Sequence, residues 1–279
     1  MLRLSLFATL AFSLCQTVAH AQMSHHNHAS EAACDEATLR CASKVMPAYA
    51  SDGTLWLAFM AGGRIAVTSS KDEGRSFSPP VQVTKEKLNL DWGPDARPQI
   101  VVDKNGGIAL AFSLFRDKAF NGQVLTAKSG DGGRSFSEPR PITANNESQR
   151  FVALGLDTDG SVFAAWIDKR NRVPAKQEGR KYEGAGLFFA SSKDGGATYS
   201  ETKMAADNTC ECCRLGMAFA GPGKPAVVFR NIFEGGVRDH AVMTFNDPAT
   251  PGEVRRVSRS RTCPAACVPL TSTLFIPTL

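Results

Sequence analysis

Three octapeptides decide the fold of this chain: Ser70-Lys-Asp-Glu-Gly-Arg-Ser-Phe77, Ser129-Gly-Asp-Gly-Gly-Arg-Ser-Phe136 and Ser192-Lys-Asp-Gly-Gly-Ala-Thr-Tyr199. All fit the pattern S-x-D-x-G-x-x-aromatic, and their acidic residues, Asp72, Asp131 and Asp194, lie 59 and 63 positions apart. The Ser and Asp side chains can accept hydrogen bonds from turn N–H groups, and Gly can take a positive φ. Because apolar runs precede each octapeptide, each is predicted to join two antiparallel strands through a turn with buried Asp.

A second pattern recurs upstream of the octapeptides. A basic residue is followed after 9 or 10 positions by glycine and, six positions later, by an aromatic residue, in the pairs Lys44 and Phe59, Arg97 and Phe112, Arg150 and Trp166, Arg214 and Phe229. This spacing predicts a strand, a Gly turn and a second strand. Together with the strands around each octapeptide it indicates four antiparallel strands per unit, which is typical of a propeller blade. Four blades are predicted, at about 44–84, 97–143, 150–206 and 214–257.

The octapeptides at this spacing resemble the Asp-box (BNR) repeat of the sialidase superfamily, over about residues 44–257. The chain further resembles bacterial exported proteins labelled exo-α-sialidase-like, in residues 166–170, 210–214 and 237–240. The resemblance implies an all-β fold, a six-bladed β-propeller of sialidase type of which about four blades are present here. It also implies a glycoside hydrolase of exo-α-sialidase type. A smaller ring of four or five blades is the alternative.

Both ends of the chain differ from the blades. Arg3, an apolar run over residues 4–18 and then Ala19-His20-Ala21 predict a cleaved signal peptide over residues 1–21, hence a periplasmic or secreted protein. An N-terminal anchor is the alternative, but no stretch reaches 18 apolar residues, so no stable membrane span is expected. Residues 22–43 form a segment with Cys and His. Residues 258–279 lack blade features, and we expect a truncation or frameshift there.

Composition excludes several classes of protein. Of 279 residues, 43% are apolar and 21% charged, which excludes wholesale disorder. The 32 Lys and Arg against 27 Asp and Glu give a net charge of +5 without long like-charge runs, so no nucleic-acid partner is expected. We expect a monomer if the propeller closes, and no cofactor.

Three arginines are the candidate ligand-binding residues. Arg97, Arg150 and Arg214 occupy the same position at the start of three innermost strands, on the rim opposite the octapeptides. Repeat symmetry therefore predicts that their guanidinium groups converge and bind the carboxylate of an acidic sugar or glycan. Arg170 and Arg230 are further candidates for substrate binding on this rim. Alternatively, the arginines pair with the neighbouring carboxylates Asp95, Asp168 and Asp239.

The candidate catalytic residues are Asp239, His240 and Tyr182, which are predicted in loops on the same rim. Asp239 and His240 could perform acid–base chemistry. The catalytic set implied by the resemblance is incomplete, because the loop expected to hold an acid/base Asp reads Met60-Ala-Gly-Gly63. The Tyr–Glu pair of sialidases belongs to late blades that are absent here. An enzyme and a non-catalytic binding or envelope interaction propeller therefore both stay open.

A cysteine cluster is the remaining feature. Cys210, Cys212 and Cys213 lie at the entry to the fourth blade, while Cys34 and Cys41 follow an N-terminal run with His25, His26 and His28. The favoured interpretation is a set of disulfides that ties the N-terminal segment to the fourth blade. Thiolates and imidazoles also suit copper(I) or zinc, which would indicate a metal-handling protein. The spacing matches no standard zinc motif, so no metal site is predicted.

Overall fold

The computed structural model describes residues 34–259, which form two antiparallel sheets of four strands and one of nine. Blade 1 consists of β1 (Lys44–Tyr49), β2 (Leu55–Ala61), β3 (Arg64–Ser70) and β4 (Val81–Gln82). Blade 2 consists of β5 (Gln99–Val102), β6 (Ile108–Phe115), β7 (Gly122–Ser129) and β8 (Arg140–Pro141). Within each of these blades, the strands pair in chain order.

Blades 3 and 4 belong to one continuous sheet. Blade 3 consists of β9 (Gln149–Leu156), β10 (Val162–Asp168), β11 (Ala185–Ser192) and β12 (Lys203–Thr209). Blade 4 consists of β13 (Gly216–Phe219), β14 (Pro225–Phe233) and β15 (Val237–Asp247), with β16 (Thr250–Pro251) and β17 (Arg255–Arg256) both paired to β15. The single pairing of Thr209 with Asn231 joins the two blades.

Helix is scarce in the described part of the chain. The α-helix α1 (Arg172–Gln177) lies between β10 and β11, and two short 3-10 turns cover Leu39–Cys41 and Glu234–Gly236. None of the helices within residues 34–259 is long and apolar enough to cross a membrane. The predicted all-β fold of propeller blades with almost no helix is confirmed.

The blades pack face to face through apolar cores. The innermost strands β1, β5, β9 and β13 contact one another in succession, and one apolar cluster lies between each pair of neighbouring blades. The four aromatic residues that follow the Gly turns of the second repeat, Phe59, Phe112, Trp166 and Phe229, have no exposed surface. Burying each contributes about 2–3 kcal/mol, which explains why the repeat keeps a large aromatic at this position.

The octapeptides form the turns between the third and fourth strands of blades 1, 2 and 3, as predicted. In blade 2, the Ser129 hydroxyl donates to Asp131 Oδ1 at 2.8 Å and accepts from the Gly133 N–H at 2.9 Å. Asp131 in turn accepts from the backbone N–H and the hydroxyl of Ser135. Gly133 has a φ of +77°, which confirms the predicted left-handed glycine.

The buried polar residue of each octapeptide turn is the serine. Ser70, Ser129 and Ser192 are at most 2% exposed, whereas Asp194 is exposed and the other two Asp residues are half-buried. The expectation that the Asp carboxylates are buried is therefore wrong. The short Ser side chain reaches the turn N–H groups from inside, and the Asp side chain closes the turn from the solvent side.

The N-terminal segment packs on blade 1. Cys34 and Cys41 are joined by a disulfide with a Cα–Cα distance of 5.4 Å, and Leu39 packs against Phe59. The predicted disulfides from Cys34 and Cys41 to blade 4 are therefore wrong, because the two cysteines, seven positions apart, bond to each other. The predicted signal peptide, the histidines at positions 25, 26 and 28 and residues 260–279 lie outside the described residues.

Candidate functional site

The loop of residues 83–98 between blades 1 and 2 organises the rim opposite the octapeptide turns. Its backbone is fixed along the end of β6: Asp91 N–H donates to the Ser113 carbonyl at 2.9 Å, and Phe115 N–H donates to the Asn89 carbonyl at 2.7 Å. This loop presents two carboxylates, those of Asp91 and Asp95, toward arginines of other blades.

Arg150, the second residue of β9, is held by Asp91. Its Nε donates to Oδ2 at 2.6 Å and its Nη2 donates to Oδ1 at 2.9 Å. The Asp91 side chain has no exposed surface, and the guanidinium carbon stacks over the rings of Phe115 and Phe151 at 5.0 and 4.5 Å. Both carboxylate oxygens thus accept hydrogen bonds from the guanidinium, whose carbon also lies over two aromatic rings.

Arg214 is ion-paired in a similar way. Its Nε and Nη2 both donate to Asp95 Oδ1, the former at 2.9 Å. The pair joins the entry of blade 4 to the loop between blades 1 and 2. Arg214 is thus paired with Asp95, one of the three carboxylates named in the ion-pair alternative.

Arg97 differs from the two other rim arginines. Within residues 34–259, its side chain makes neither a hydrogen bond nor an ion pair, and it is half-buried. It lines a cavity together with Arg214, Asp95, Gln99 and Ser113. The cavity volume is about 40 Å³, which exceeds the roughly 10–15 Å³ that one water molecule needs on the same measure. The cavity therefore has room for a small polar group such as a carboxylate. Arg150 does not line this cavity.

Arg170 is committed to the end of its own blade. Asp168, the last residue of β10, has no exposed surface and accepts from Trp166 Nε1 at 3.1 Å, the Arg170 N–H at 2.9 Å and Arg170 Nη2 at 2.6 Å. The Arg170 guanidinium stacks on Phe188 with its carbon 4.2 Å from the ring centre. Asp168 therefore pairs with Arg170 and not with an arginine of a neighbouring blade.

Tyr182 lies in the loop between α1 and β11, as predicted. Its hydroxyl donates to Asp207 Oδ1. Burial and the Asp207 carboxylate raise the pKa of Tyr182 above its usual value. The adjacent Glu183 is ion-paired with Lys181. This geometry favours a neutral phenol that donates a hydrogen bond over a phenolate nucleophile.

Asp239 and His240 are not loop residues. Both lie inside β15, paired with Asn231 and Arg230 of β14, and adjacent residues of a strand point to opposite faces of the sheet. Asp239 is 1% exposed and accepts from Arg256 Nε at 2.7 Å. The predicted placement in a rim loop is wrong, and the two side chains do not form an acid–base pair. A loop was expected after β14, but only the short turn Glu234–Gly236 separates β14 from β15.

Arg230 lies beneath the rim beside the cysteine cluster. It is 5% exposed, its Nε donates to the Arg238 carbonyl at 3.0 Å, and its Nη1 lies 3.9 Å from Cys213 Sγ. It is therefore not exposed for contact with a sugar in this structure.

The three cysteines of blade 4 come together as the sequence suggests, but not as three thiolates. Sγ of Cys210 lies 3.4 Å from that of Cys212 and 3.3 Å from that of Cys213. Cys212 is disulfide-bonded, and Cys210 and Cys213 are free and buried. A hydrogen bond from Cys213 lowers the pKa of Cys210, and the same bond together with burial raises the pKa of Cys213. The three sulfur atoms lie within 4.8 Å of one another, and the copper or zinc alternative, which also involves the histidines outside the described residues, stays a hypothesis.

Sequence reasoning missed the residues of the loop between blades 1 and 2. Asp91 and Trp92 belong to the stretch Asp91-Trp-Gly-Pro-Asp95, whose Gly-Pro pair is a turn signal. Trp92 is 59% exposed beside the buried Asp91 carboxylate. The sequence signal for this site is a turn with acidic and aromatic residues between two blades. It occurs only once, so comparison of the repeats does not identify it.

No family model matches the chain, and no curated protein matches it. Among solved structures, it is similar to the Hadza microbial sialidase Hz136, with 21% identity and a TM-score of 0.51 over 78% of this chain and 46% of that one. It is also similar to a polysaccharide lyase of family PL25, an ulvan lyase, with 12% identity and a TM-score of 0.53 over 75% and 55%. An α-L-arabinanase from Penicillium chrysogenum gives 14% identity and a TM-score of 0.51 over 78% and 67%.

The chain thus spans about half the length of the sialidase and the lyase. Identities this low show a shared fold. The fold that the chain shares with these structures is a β-propeller.

Proposed function

We propose that this protein is an exported glycan-recognising propeller of sialidase type, and that it binds a carboxylate-bearing sugar at the rim around Arg97. The observation that carries the proposal is the contrast among the three equivalent arginines. Arg150 and Arg214 are neutralised by Asp91 and Asp95, whereas the half-buried guanidinium of Arg97 has no hydrogen-bond or ion-pair partner within residues 34–259.

The cavity beside Arg97 supports a carboxylate as the recognised group. A planar guanidinium binds a carboxylate through two parallel hydrogen bonds, and the cavity has room for one such group. Gln99 and Ser113, which also line it, offer further polar atoms. The sugar ring itself would lie toward the mouth of the cavity, and Trp92, which is exposed in the same loop as the cavity-lining Asp95, offers an apolar ring that could pack on it.

Arg150 and Arg214 have a supporting role in this proposal. Arg150 holds Asp91 and Arg214 holds Asp95, at the two ends of the stretch 91–95. They position this part of the site and do not contact the ligand themselves. Recognition without hydrolysis is favoured over an exo-α-sialidase activity, because Asp239, His240 and Tyr182 do not assemble into an acid–base or nucleophile pair.

Calorimetric titration of N-acetylneuraminic acid and glucuronic acid into the full chain tests the proposal. Loss of one or two charge-assisted hydrogen bonds costs about 1.5–3 kcal/mol, so Arg97→Ala is expected to weaken binding roughly 10- to 150-fold. Arg75→Ala is the matched control, because Arg75 is a highly exposed arginine in the octapeptide turn of blade 1, and it should bind like the wild type.

Three results would contradict the proposal. Absence of binding of either acid to the wild type removes the acidic-sugar site, and equal affinity of the Arg97→Ala variant removes Arg97 from it. Binding of the uncharged methyl ester as tightly as the free acid would exclude a carboxylate as the recognised group. Turnover of a fluorogenic sialoside would show that the site is catalytic and overturn the non-catalytic assignment.

A further inference from the structure

The rim that carries the octapeptide turns is built differently in blade 4. In blades 1, 2 and 3, ten residues join the third strand to the fourth, namely 71–80, 130–139 and 193–202. In blade 4, residues 248–249 alone join β15 to β16. Blade 4 therefore has a two-residue turn where the other blades have an octapeptide turn.

An octapeptide turn packs against the second strand of the preceding blade. A Cβ on Gly133 of blade 2 would lie 2.5 Å from the ring of Trp56, the second residue of β2. A Cβ on Gly196 of blade 3 would lie 2.8 Å from the Cβ of Ala109, the second residue of β6. Each of these turns thus fills the space beside the blade that precedes it.

The corresponding space beside blade 3 is a cavity of about 300 Å³. Lys128, the penultimate residue of β7, donates to the Asp194 carbonyl in the octapeptide turn of the next blade. Ser191 is the penultimate residue of β11 in blade 3, and it lines the cavity together with Pro248 of the short turn in blade 4. The cavity therefore lies where an octapeptide turn of blade 4 would pack.

Hydrogen bonds hold the walls of this cavity in place. Asp157, which is 7% exposed, accepts from the Gly223 N–H of blade 4 and from the Thr158 N–H, both at 2.7 Å. Asp159 accepts from the N–H of Ser161 at 2.8 Å and from its hydroxyl at 3.0 Å. These residues all line the cavity. Because the bond to Gly223 connects the two blades, the cavity is formed without a ligand.

The lining combines polar groups with apolar surface. Asp159 offers a carboxylate, Lys193 an ammonium group and Ser191 a hydroxyl, while Pro222 and Pro248 offer apolar rings. Ligand sites typically combine apolar surface with a few polar groups that fix the orientation of the ligand. Hydroxyl groups both donate and accept hydrogen bonds. A hydroxyl-rich ring with apolar C–H groups, which is a sugar residue, therefore matches this lining.

Charge and size distinguish among the classes of ligand. Hydrogen bonds from Ser161, and the nearby ammonium group of Lys193, hold the pKa of Asp159 below its usual range, so this carboxylate is charged at neutral pH. With Asp157, two carboxylates line the cavity against one ammonium group, which disfavours an acidic sugar. The volume lies at the lower end of the roughly 300–1,000 Å³ of small-ligand sites and is far larger than a single metal ion requires.

We propose that the cavity between blades 3 and 4 is a second glycan-binding site, which binds an uncharged sugar residue through Asp159, Ser191 and Lys193. It lies on the rim of the octapeptide turns and shares no lining residue with the cavity beside Arg97. The proposal is therefore independent of the acidic-sugar site on the opposite rim.

Nuclear magnetic resonance of the ¹⁵N-labelled full chain tests this site. D-galactose, D-mannose and N-acetyl-D-glucosamine are titrated separately in the presence of EDTA. At least one sugar should bind saturably and shift the amide signals of Ser161, Ser191 and Gly223. The amide signal of Gly53, in the equivalent turn of blade 1, should not move.

Two variants alter the lining, and a third is the matched control. Ser191→Lys gives blade 3 the residue that blade 2 has at the equivalent position, and it should abolish binding because the longer side chain fills the cavity. Asp159→Asn should weaken binding about tenfold, because a charged acceptor becomes a neutral one. Asp52 accepts from the Thr54 N–H at 2.9 Å in the equivalent turn of blade 1, so Asp52→Asn should bind like the wild type.

The proposal is wrong if none of the three sugars binds saturably, or if the shifts are confined to the rim around Arg97. Unchanged affinity in Asp159→Asn and Ser191→Lys would also overturn it, and either variant suffices if the other does not fold. Binding that occurs only with Ca²⁺ in place of EDTA would identify a cation site instead. Because these sugars lack a carboxylate, their binding and that of N-acetylneuraminic acid near Arg97 can fail separately.

Discussion

The guanidinium of Arg150 in blade 3 donates two hydrogen bonds to the carboxylate of Asp91, which lies 59 positions earlier in the loop between blades 1 and 2. Asp91 has no exposed surface, and 23% of the Arg150 side chain is exposed. The pair thus joins two parts of the rim through the buried carboxylate of Asp91. Its loss should therefore lower the stability of the fold.

Arg150→Ala should lower the free energy of unfolding by about 3–5 kcal/mol, because it leaves the Asp91 carboxylate buried without a counterion. Urea denaturation measures the change. Arg75→Ala removes an exposed contact of 3.7 Å with Glu73 and should cost less than about 1 kcal/mol. A double substitution, Arg150→Met with Asp91→Leu, should recover much of the loss. An Arg150→Ala variant as stable as the Arg75→Ala variant would show that the pair is unimportant for folding.

The octapeptide turns predict a specific acid dependence of stability. Hydrogen bonds from the Ser76 side chain and N–H, and from Ser70, lower the pKa of Asp72 to about 2, and the equivalent bonds from Ser135 and Ser129 also lower that of Asp131. A depressed folded-state pKa contributes stability that is complete above the unfolded value of about 3.9 and is lost as the pH falls toward the folded value.

Stability should therefore fall between about pH 4 and pH 2, and Asp72→Asn and Asp131→Asn should flatten that part of the curve. Melting temperatures at half-unit steps of pH provide the measurement. Asp117→Asn is not a suitable control, because the pKa of Asp117 is also lowered by its turn. Substitution of the exposed Glu73, whose side chain is 84% exposed, serves instead. A curve of identical shape for the wild type and Asp131→Asn would contradict the prediction.

The buried serine of each turn should matter more than the exposed hydroxyls around it. Ser129→Ala leaves the Gly133 N–H without its acceptor and removes a donor to Asp131. A loss of about 1–3 kcal/mol is expected. Ser135→Ala, at an exposed position of the same turn, should cost less. If urea denaturation shows that Ser135→Ala lowers the free energy of unfolding more than Ser129→Ala does, burial of the serine does not determine its contribution.

Repetition explains what could be predicted from the sequence. Strands, Gly turns and octapeptides recur in phase, so Phe112 or Gly133 could be placed by comparison with equivalents in other blades. The surroundings of such residues repeat from blade to blade, and the same hydrogen bonds between Ser and Asp form in all three octapeptide turns. The blade architecture could therefore be predicted from the sequence without knowledge of any contact between residues.

The site was only partly accessible, because its decisive contacts join unique segments far apart in the chain. Arg214 and Asp95 are 119 positions apart, and no spacing rule links them. His240 was misplaced because β14 and β15 continue over nine and eleven residues to a tight turn at Gly235, whereas a loop was expected there. Which rim arginine lacks a partner among the described residues depends on the path of the loop 83–98, whose sequence occurs once.

Three glycines of the octapeptide turn in blade 2 offer a graded test of the packing between blades 1 and 2. A Cβ on Gly133 would lie 2.5 Å from the Trp56 ring of blade 1, and Gly133 also has a φ of +77°. Gly132 has a φ of +71° but open space around it, and Gly130 has open space and no positive φ. Positive φ costs a non-glycine residue about 1–2 kcal/mol, and a clash in a packed core adds about 1–3 kcal/mol.

Gly133→Ala should therefore destabilise the protein by about 2–5 kcal/mol, Gly132→Ala by about 1–2 kcal/mol, and Gly130→Ala by less than about 0.5 kcal/mol. Urea denaturation of the three variants measures the series, and near-ultraviolet circular dichroism, to which Trp56 contributes with the two other tryptophans, should change in Gly133→Ala alone. Equal effects of Gly133→Ala and Gly132→Ala would mean that backbone strain alone is at work. In that case the octapeptide turn of blade 2 would not be packed against Trp56 of blade 1, which would contradict the contact between these two blades.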